Sequence, residues 1–207
     1  MTDQTQRLRI DFISDVVCPW CVVGYRQLEQ ALKSTATDYE IHWHPFELNP
    51  DMPAEGQNLR EHLAEKYGST PEQSQENRAR LTDVGAGLGF KFAFSDEMRM
   101  VNTFDAHRLI HWAGIEGRQT AAVSALFKAY FTDGRDIGDR DVLADIADAI
   151  EMDASVVRRL LASDADLDGI RQRDAHSREM GVTGVPTFIV AQQHAVPGAQ
   201  SKEMWLK

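Results

Sequence analysis

Cysteine is nearly missing from this chain: two residues among 207, at positions 18 and 21. A scaffold stapled by disulfides is thereby excluded, because such a framework needs several bridges closing longer loops. Long hydrophobic runs are missing too. No apolar stretch approaches the roughly 20 residues that cross a bilayer, so no membrane association is expected. Positive charge is scarce, with 22 Lys and Arg against 32 Asp and Glu and a formal charge of −10. Such a balance gives little attraction to nucleic acid or anionic lipid, and nucleic acid is not expected as a partner. The opening Met1-Thr2-Asp3-Gln4-Thr5-Gln6-Arg7 lacks the basic start and apolar core of a secretory signal. The expectation is a cytoplasmic protein. In a reducing compartment, a lone Cys-x-x-Cys reads as redox chemistry or as half of a metal site.

What is present is long enough to bury a proper core as one large domain or two small ones. Leu8, Ile10 and Phe12 alternate with Arg9 and Asp11, the period of a strand with one buried face, and Ile13 extends the apolar run, suggesting burial on both sides. Pro19 suits the first turn of a helix, where its missing N–H costs nothing. Cys21, Tyr25, Leu28 and Leu32 then form an apolar helical stripe. Alternation returns from Tyr39 to Phe46, giving a β-α-β start in which two parallel strands are joined by a crossover helix. From about Asn58 to Ser163 the signals are helical. Thr70-Pro71-Glu72-Gln73 is a capping box with proline at the first helical position. Gly85, Gly87 and Gly89 are read as breaking the helix that follows. Further helices are expected near 102–113, 119–131, 140–150, 154–162 and 164–180. Val185–Val190 is a β-branched run, His194–Val196 is its hairpin partner, and Ser201 caps a short last helix. This organisation is an α/β domain, β-α-β then α-β-β, interrupted by an all-helical subdomain. The boundaries read as 1–56, 57–163 and 164–207.

The chemistry lies at Cys18-Pro19-Trp20-Cys21. Cys18 falls at a helix N-terminus, where unpaired N–H groups and the helix dipole favour a thiolate, the attacking species in disulfide exchange. Cys21 lies one turn on, pointing back along the same face. Residues at this spacing are about 5–6 Å apart at Cβ, and modest adjustment brings them to disulfide distance. Cys18 is the expected nucleophile and Cys21 the resolving thiol. Trp20 carries no charge to stabilise the thiolate further, so the potential is expected within about −150 to −270 mV, less oxidising than about −120 mV for strong dithiol oxidants. The competing reading is half of a zinc site. Structural zinc wants four ligands, no second cysteine pair exists, and His42 and His44 would need a further ligand. No metal is expected.

Ser14-Asp15-Val16-Val17-Cys18-Pro19-Trp20-Cys21-Val22-Val23-Gly24 resembles the active-site segment of DsbA-family proteins of the FrnE-like branch. Trp43-His44-Pro45-Phe46-Glu47-Leu48-Asn49-Pro50 resembles that branch's second-strand signature. Asn102-Thr103 with Ala106-His107-Arg108-Leu109 resembles a signature of its helical insert. Gly181-Val182-Thr183-Gly184-Val185-Pro186-Thr187-Phe188 and Gly198-Ala199-Gln200 resemble its closing loop and turn. The resemblance implies a thioredoxin fold with a helical insertion and no bound organic cofactor, the redox-active disulfide serving instead, with glutathione a candidate co-substrate. It also implies that Pro186 is cis and faces the cysteines, turning the Val185 backbone toward an incoming peptide that pairs as an added strand. The last segment of this chain is shorter than the terminal helix of that family, so either the sequence is cut short or the sheet is less well covered.

Supporting residues follow. Asp15 is either a proton relay for Cys21 or a local turn residue. His107 is either a groove-facing side chain, as the resemblance suggests, or a packed one. Asn102 suits a helix N-cap. Trp20, Phe46 and Met100 are candidates to line an apolar groove, with core packing the alternative for Phe46. The expected activity is thiol–disulfide oxidoreductase or isomerase on thiol- or disulfide-bearing proteins or small molecules, with a separate reductant. A glutathione-dependent transferase or isomerase of the kappa type is the first rival; those relatives carry serine where this chain has Cys18. A non-catalytic chaperone or binding module is the second. A homodimer through an exposed apolar groove stays open.

Overall fold

The structure is a computed structural model describing residues 7–207. The polar stretch before Arg7 lies outside the described residues. Two compact units are present, one made of the chain up to Leu48 together with Arg171–Lys207, the other of Asn49–Ile170. The segment just after Leu48 belongs to the helical unit for a visible reason: Met52 is buried there, and its carbonyl accepts the Asn102 side-chain amide at 2.7 Å.

The first unit is built on strand β1 (Leu8–Ser14), helix α1 (Pro19–Thr35), strand β2 (Tyr39–Pro45), the later part of helix α8 (Leu167–Glu179), strands β5 (Thr187–Val190) and β6 (His194–Pro197), and the short helix α9 (Lys202–Trp205). The sheet order is β2-β1-β5-β6. β1 runs parallel to β2, as a crossover helix requires, while β5 pairs antiparallel with β1 and β6 with β5. Phe12 lies opposite both Trp43 and Phe188 in the register. Its ring stacks on Trp43 at 4.4 Å and meets Phe188 at 4.2 Å. Tyr25 of α1 closes edge-on over Trp43, and Trp205 of α9 over Phe188. Short as it is, α9 therefore reaches this core through Trp205. Gly24 lets α1 approach the sheet, because a Cβ there would lie 3.1 Å from both Phe188 and Pro186.

The opposite face of β1 is also covered at Asp11 and Ile13, as the apolar run through Ile13 suggests. Asp11 is buried rather than turned to solvent. Arg9 grips it through Nε at 3.0 Å and Nη2 at 2.7 Å, and His44 of β2 bonds it at 2.8 Å. A buried carboxylate survives only when paired in this way.

The helical unit holds α2 (Leu59–Tyr67), α3 (Pro71–Gly87), α4 (Phe104–Ile115), α5 (Gln119–Phe131), α6 (Arg140–Ala149) and α7 (Ala154–Leu161), with a two-residue ladder between β3 (Gln57–Asn58) and β4 (Arg99–Met100). The Thr70 capping box forms as read, with Pro71 inside it. The glycines correct the sequence reading: α3 runs through Gly85 to Gly87 and stops before Gly89, whose φ is +71°. Gly85 serves packing. A Cβ there would fall 2.5 Å from the Phe92 ring, and Phe92 sits in an aromatic group with Phe90, Phe94 and Phe131. Arg108 is fully buried. It donates to the carbonyls of Leu160, Ser163 and Ala165, at and just beyond the end of α7, and pairs with Asp105.

Candidate active site

The β1 strand delivers a short loop, Asp15–Val17, directly into α1. Cys18 is the N-cap of that helix, in extended conformation, with Pro19 at the first position. The Cys18 N–H bonds the Asp15 carbonyl at 3.1 Å, and the Cys21 N–H bonds the Cys18 carbonyl at 3.0 Å. No side chain caps the helix and no acidic residue sits in its first turn, so nothing within it offsets the positive end of the dipole. Both cysteines are free thiols. Cys18 is 6% exposed and Cys21 fully buried. Burial pushes the Cys21 thiol well above its ordinary range; its hydrogen bond to Cys18 and that residue's charge push the same way. The Asp15 amide donates toward the Cys21 sulfur and partly opposes this, while the Asp15 charge adds to it.

From the far end of the sequence, the loop before β5 meets the same sulfur. The Val185–Pro186 peptide bond is cis. Cys18 Sγ donates to the Val185 carbonyl at 3.6 Å, within reach for sulfur. Beside this loop lies an open groove of about 460 Å³, lined by Met180, Val182, Val185, Pro186, Ala195 and Pro197 among others.

Cys18, Cys21, Asp15, Pro19, Val185 and Pro186 are thus gathered in one unit. Trp20 is half-buried on α1 beside them. His107 is buried on α4 of the helical unit, and Met100 is buried in the same unit. Asn102 bonds the Phe104 N–H at 2.9 Å, although the cap itself is Thr103. His42 pairs with Glu40 and His44 with Asp11. Among the described residues no three His, Cys, Asp or Glu side chains are grouped to hold a metal.

Behind the cysteine loop runs a network that sequence reasoning missed. Asp15 is fully buried, and its Oδ2 accepts the Leu48 N–H at 2.8 Å. The preceding Glu47 N–H goes to Asp174 Oδ1 at 2.7 Å, and its carbonyl accepts Arg178 Nη2 at 2.6 Å. The Arg178 guanidinium lies 4.1 Å over the Phe46 ring, which is therefore packed and not a groove wall. A signal was available: Asp174 and Arg178 stand four apart on one helix, the spacing of an ion pair.

The sequence model of the DSBA-like thioredoxin domain matches residues 9–207. A crystal structure of a probable DsbA oxidoreductase from Streptomyces coelicolor is 33% identical, with a TM-score of 0.91 over 97% of this chain and 87% of that one. The uncharacterized protein YwbO of Bacillus subtilis (strain 168) is 27% identical over 201 residues, 97% of this chain and 94% of its own. A 2-hydroxychromene-2-carboxylate isomerase shares the fold at 17% identity, with a TM-score of 0.71 over 92% and 89% of the two chains.

Proposed function

We propose that this chain, which belongs to the DSBA-like thioredoxin domain family, exchanges dithiol and disulfide with protein or small thiol substrates through Cys18-Pro19-Trp20-Cys21, as the FrnE-like branch does. The observation that carries the reading is the pair itself: two free cysteines one turn apart at a helix N-terminus, one of them against the Val185 carbonyl.

In the reducing direction, the Cys18 thiolate attacks a substrate disulfide and displaces one substrate sulfur as a thiolate. Cys21 then loses its proton and attacks Cys18. The Cys18–Cys21 bond forms, the mixed disulfide breaks, and the second substrate sulfur leaves carrying the electron pair. Two electrons pass to the substrate. The reverse sequence oxidises a dithiol, and a substrate with several disulfides is isomerised. Because Cys21 is buried and its proton tightly held, its departure needs an acceptor, a role assigned to Asp15. The Val185 backbone pairs with an extended substrate segment, and the groove beside Pro186 receives its side chains. A cytoplasmic setting makes reduction or isomerisation the principal direction.

The test is trapping. A Cys21→Ser protein should accumulate mixed disulfides through Cys18, and a Cys18→Ser protein should not. The opposite pattern contradicts the order of attack. Turnover with glutathione that survives loss of Cys21 would instead favour the kappa-type transferase or isomerase reading, whose fold the chromene-carboxylate isomerase shares.

A further inference from the structure

We propose that Arg178 is a positioning residue for the resolving step: from α8 it fixes the Phe46-Glu47-Leu48 segment, whose Leu48 amide holds the Asp15 carboxylate behind the cysteine pair. The inference rests on the dithiol reading above and adds to it a residue remote in sequence from the Cys-x-x-Cys loop.

An ordinary ion pair one helical turn apart would end with Asp174 and Arg178 bonded to each other, as they are through Nε and Oδ2 at 2.7 Å. Here both partners also reach across to the same peptide. Asp174 accepts the Glu47 N–H, and Arg178 donates to the Glu47 carbonyl. Glu47 is therefore gripped by both backbone polar groups, while the guanidinium lies flat on the ring of Phe46. A planar fork makes these contacts together; a lysine ammonium has the charge but not the shape.

The next amide along, that of Leu48, bonds Asp15 Oδ2. Asp15 in turn touches both cysteines: its carbonyl receives the Cys18 N–H and its amide donates toward the Cys21 sulfur. The Asp15 charge also favours the cationic form of Arg178. Asp15 is thus held in a buried place behind the cysteine pair by an amide whose position depends on Arg178.

Resolution uses that state. The Cys21 proton passes to the Asp15 carboxylate, the Cys21 sulfur attacks Cys18, and the substrate leaves as a thiolate. Loosening the Leu48 segment frees the Asp15 carboxylate to turn away, so that it accepts the Cys21 proton less readily. Attack by Cys18 precedes this transfer and does not use it.

The two steps separate with an activated aromatic disulfide that releases one coloured thiolate when Cys18 attacks and a second when Cys21 resolves. Reduced full-length protein is mixed with it in a stopped-flow instrument across a pH series. In Arg178→Gln the first release is expected within about twofold of the parent. The second is expected about tenfold slower at neutral pH, with its pH midpoint displaced. Asp15→Asn should abolish that pH step, and the double variant should be no slower than Asp15→Asn alone, because the two act as a unit. If Arg178→Gln does not fold, Arg178→Lys carries the test, with the second release expected about threefold slower. Equal slowing of both releases, an unmoved midpoint, effects that multiply in the double variant, or an unslowed Arg178→Lys protein overturns the proposal. A parent protein that gives no second release overturns the dithiol reading itself, and this proposal with it.

Discussion

The sulfur of Cys18 and the carbonyl oxygen of Val185 lie 3.6 Å apart although 167 residues separate them. The antiparallel pairing of β1 with β5 makes the contact, since each strand opens into one of the two loops. Only one cysteine is included. Cys21 sits a turn deeper, closed off from solvent and holding its proton tightly. The pair is therefore unequal in access before any substrate arrives.

This inequality is measurable by alkylation. Iodoacetamide is expected to label Cys18 in the reduced native protein at neutral pH, and Cys21 only after denaturant is added. Peptide mass spectrometry after timed quenching reads the order. Equal labelling under native conditions would show that Cys21 is neither buried nor raised.

Acid should destabilise the protein through His44 and Asp11. Burial pushes the His44 imidazole below its ordinary range, more than Asp11 raises it. Burial pushes the Asp11 carboxyl up, but hydrogen bonds from Arg9 and His44 outweigh this and hold it below the usual carboxylate range. Both groups therefore bind protons more readily in the unfolded chain, and stability rises with pH. The His44 contribution is expected to fade as pH falls below about 6.5 and that of Asp11 below about 3.9. Urea midpoints across pH should show both steps. His44→Gln should remove the upper one, and its persistence there would assign it to another group.

Two glycines of α3 should respond in opposite senses. Gly85→Ala places a methyl 2.5 Å from the Phe92 ring and 2.8 Å from the Phe90 carbonyl, an overpacking expected to cost about 1–3 kcal/mol. A Cβ at Gly87 meets nothing within 4 Å, so Gly87→Ala should gain about 0.5–1 kcal/mol. Thermal unfolding checks both, and a stabilised Gly85→Ala would contradict the packing role.

Arg108 is expected to resist conservative replacement. Arg108→Lys cannot reach the Leu160, Ser163 and Ala165 carbonyls together, and the abandoned carbonyls should cost roughly 2–4 kcal/mol. Denaturant unfolding measures the loss; a change below about 0.5 kcal/mol would show the carbonyls satisfied otherwise.

Much of this was legible in the residues. Local chemistry announced the Thr70 cap, the start of α1 at Pro19 and the hairpin after Val190, because each depends on neighbours in sequence. Gly85 was misread for the same reason: propensity marks glycine as a helix breaker, and the ring that needs its bare face arrives from beyond the end of α3. Burial on both faces of β1 was readable from the run through Ile13, but the partner of Asp11, His44, lies on the neighbouring strand and outside local pattern. The Arg178 clamp on Glu47 spans 131 residues, so only the Asp174–Arg178 half of it lay within one helix and within reach of pattern.

The central claim is that Cys18 and Cys21 form a working two-electron couple, and the direct measurement is their redox equilibrium in graded glutathione buffers, quenched and counted as free thiols. The account expects a single two-electron transition with a midpoint within about −150 to −270 mV, lost in either single serine variant. Failure to form an intramolecular disulfide anywhere in the series would contradict it.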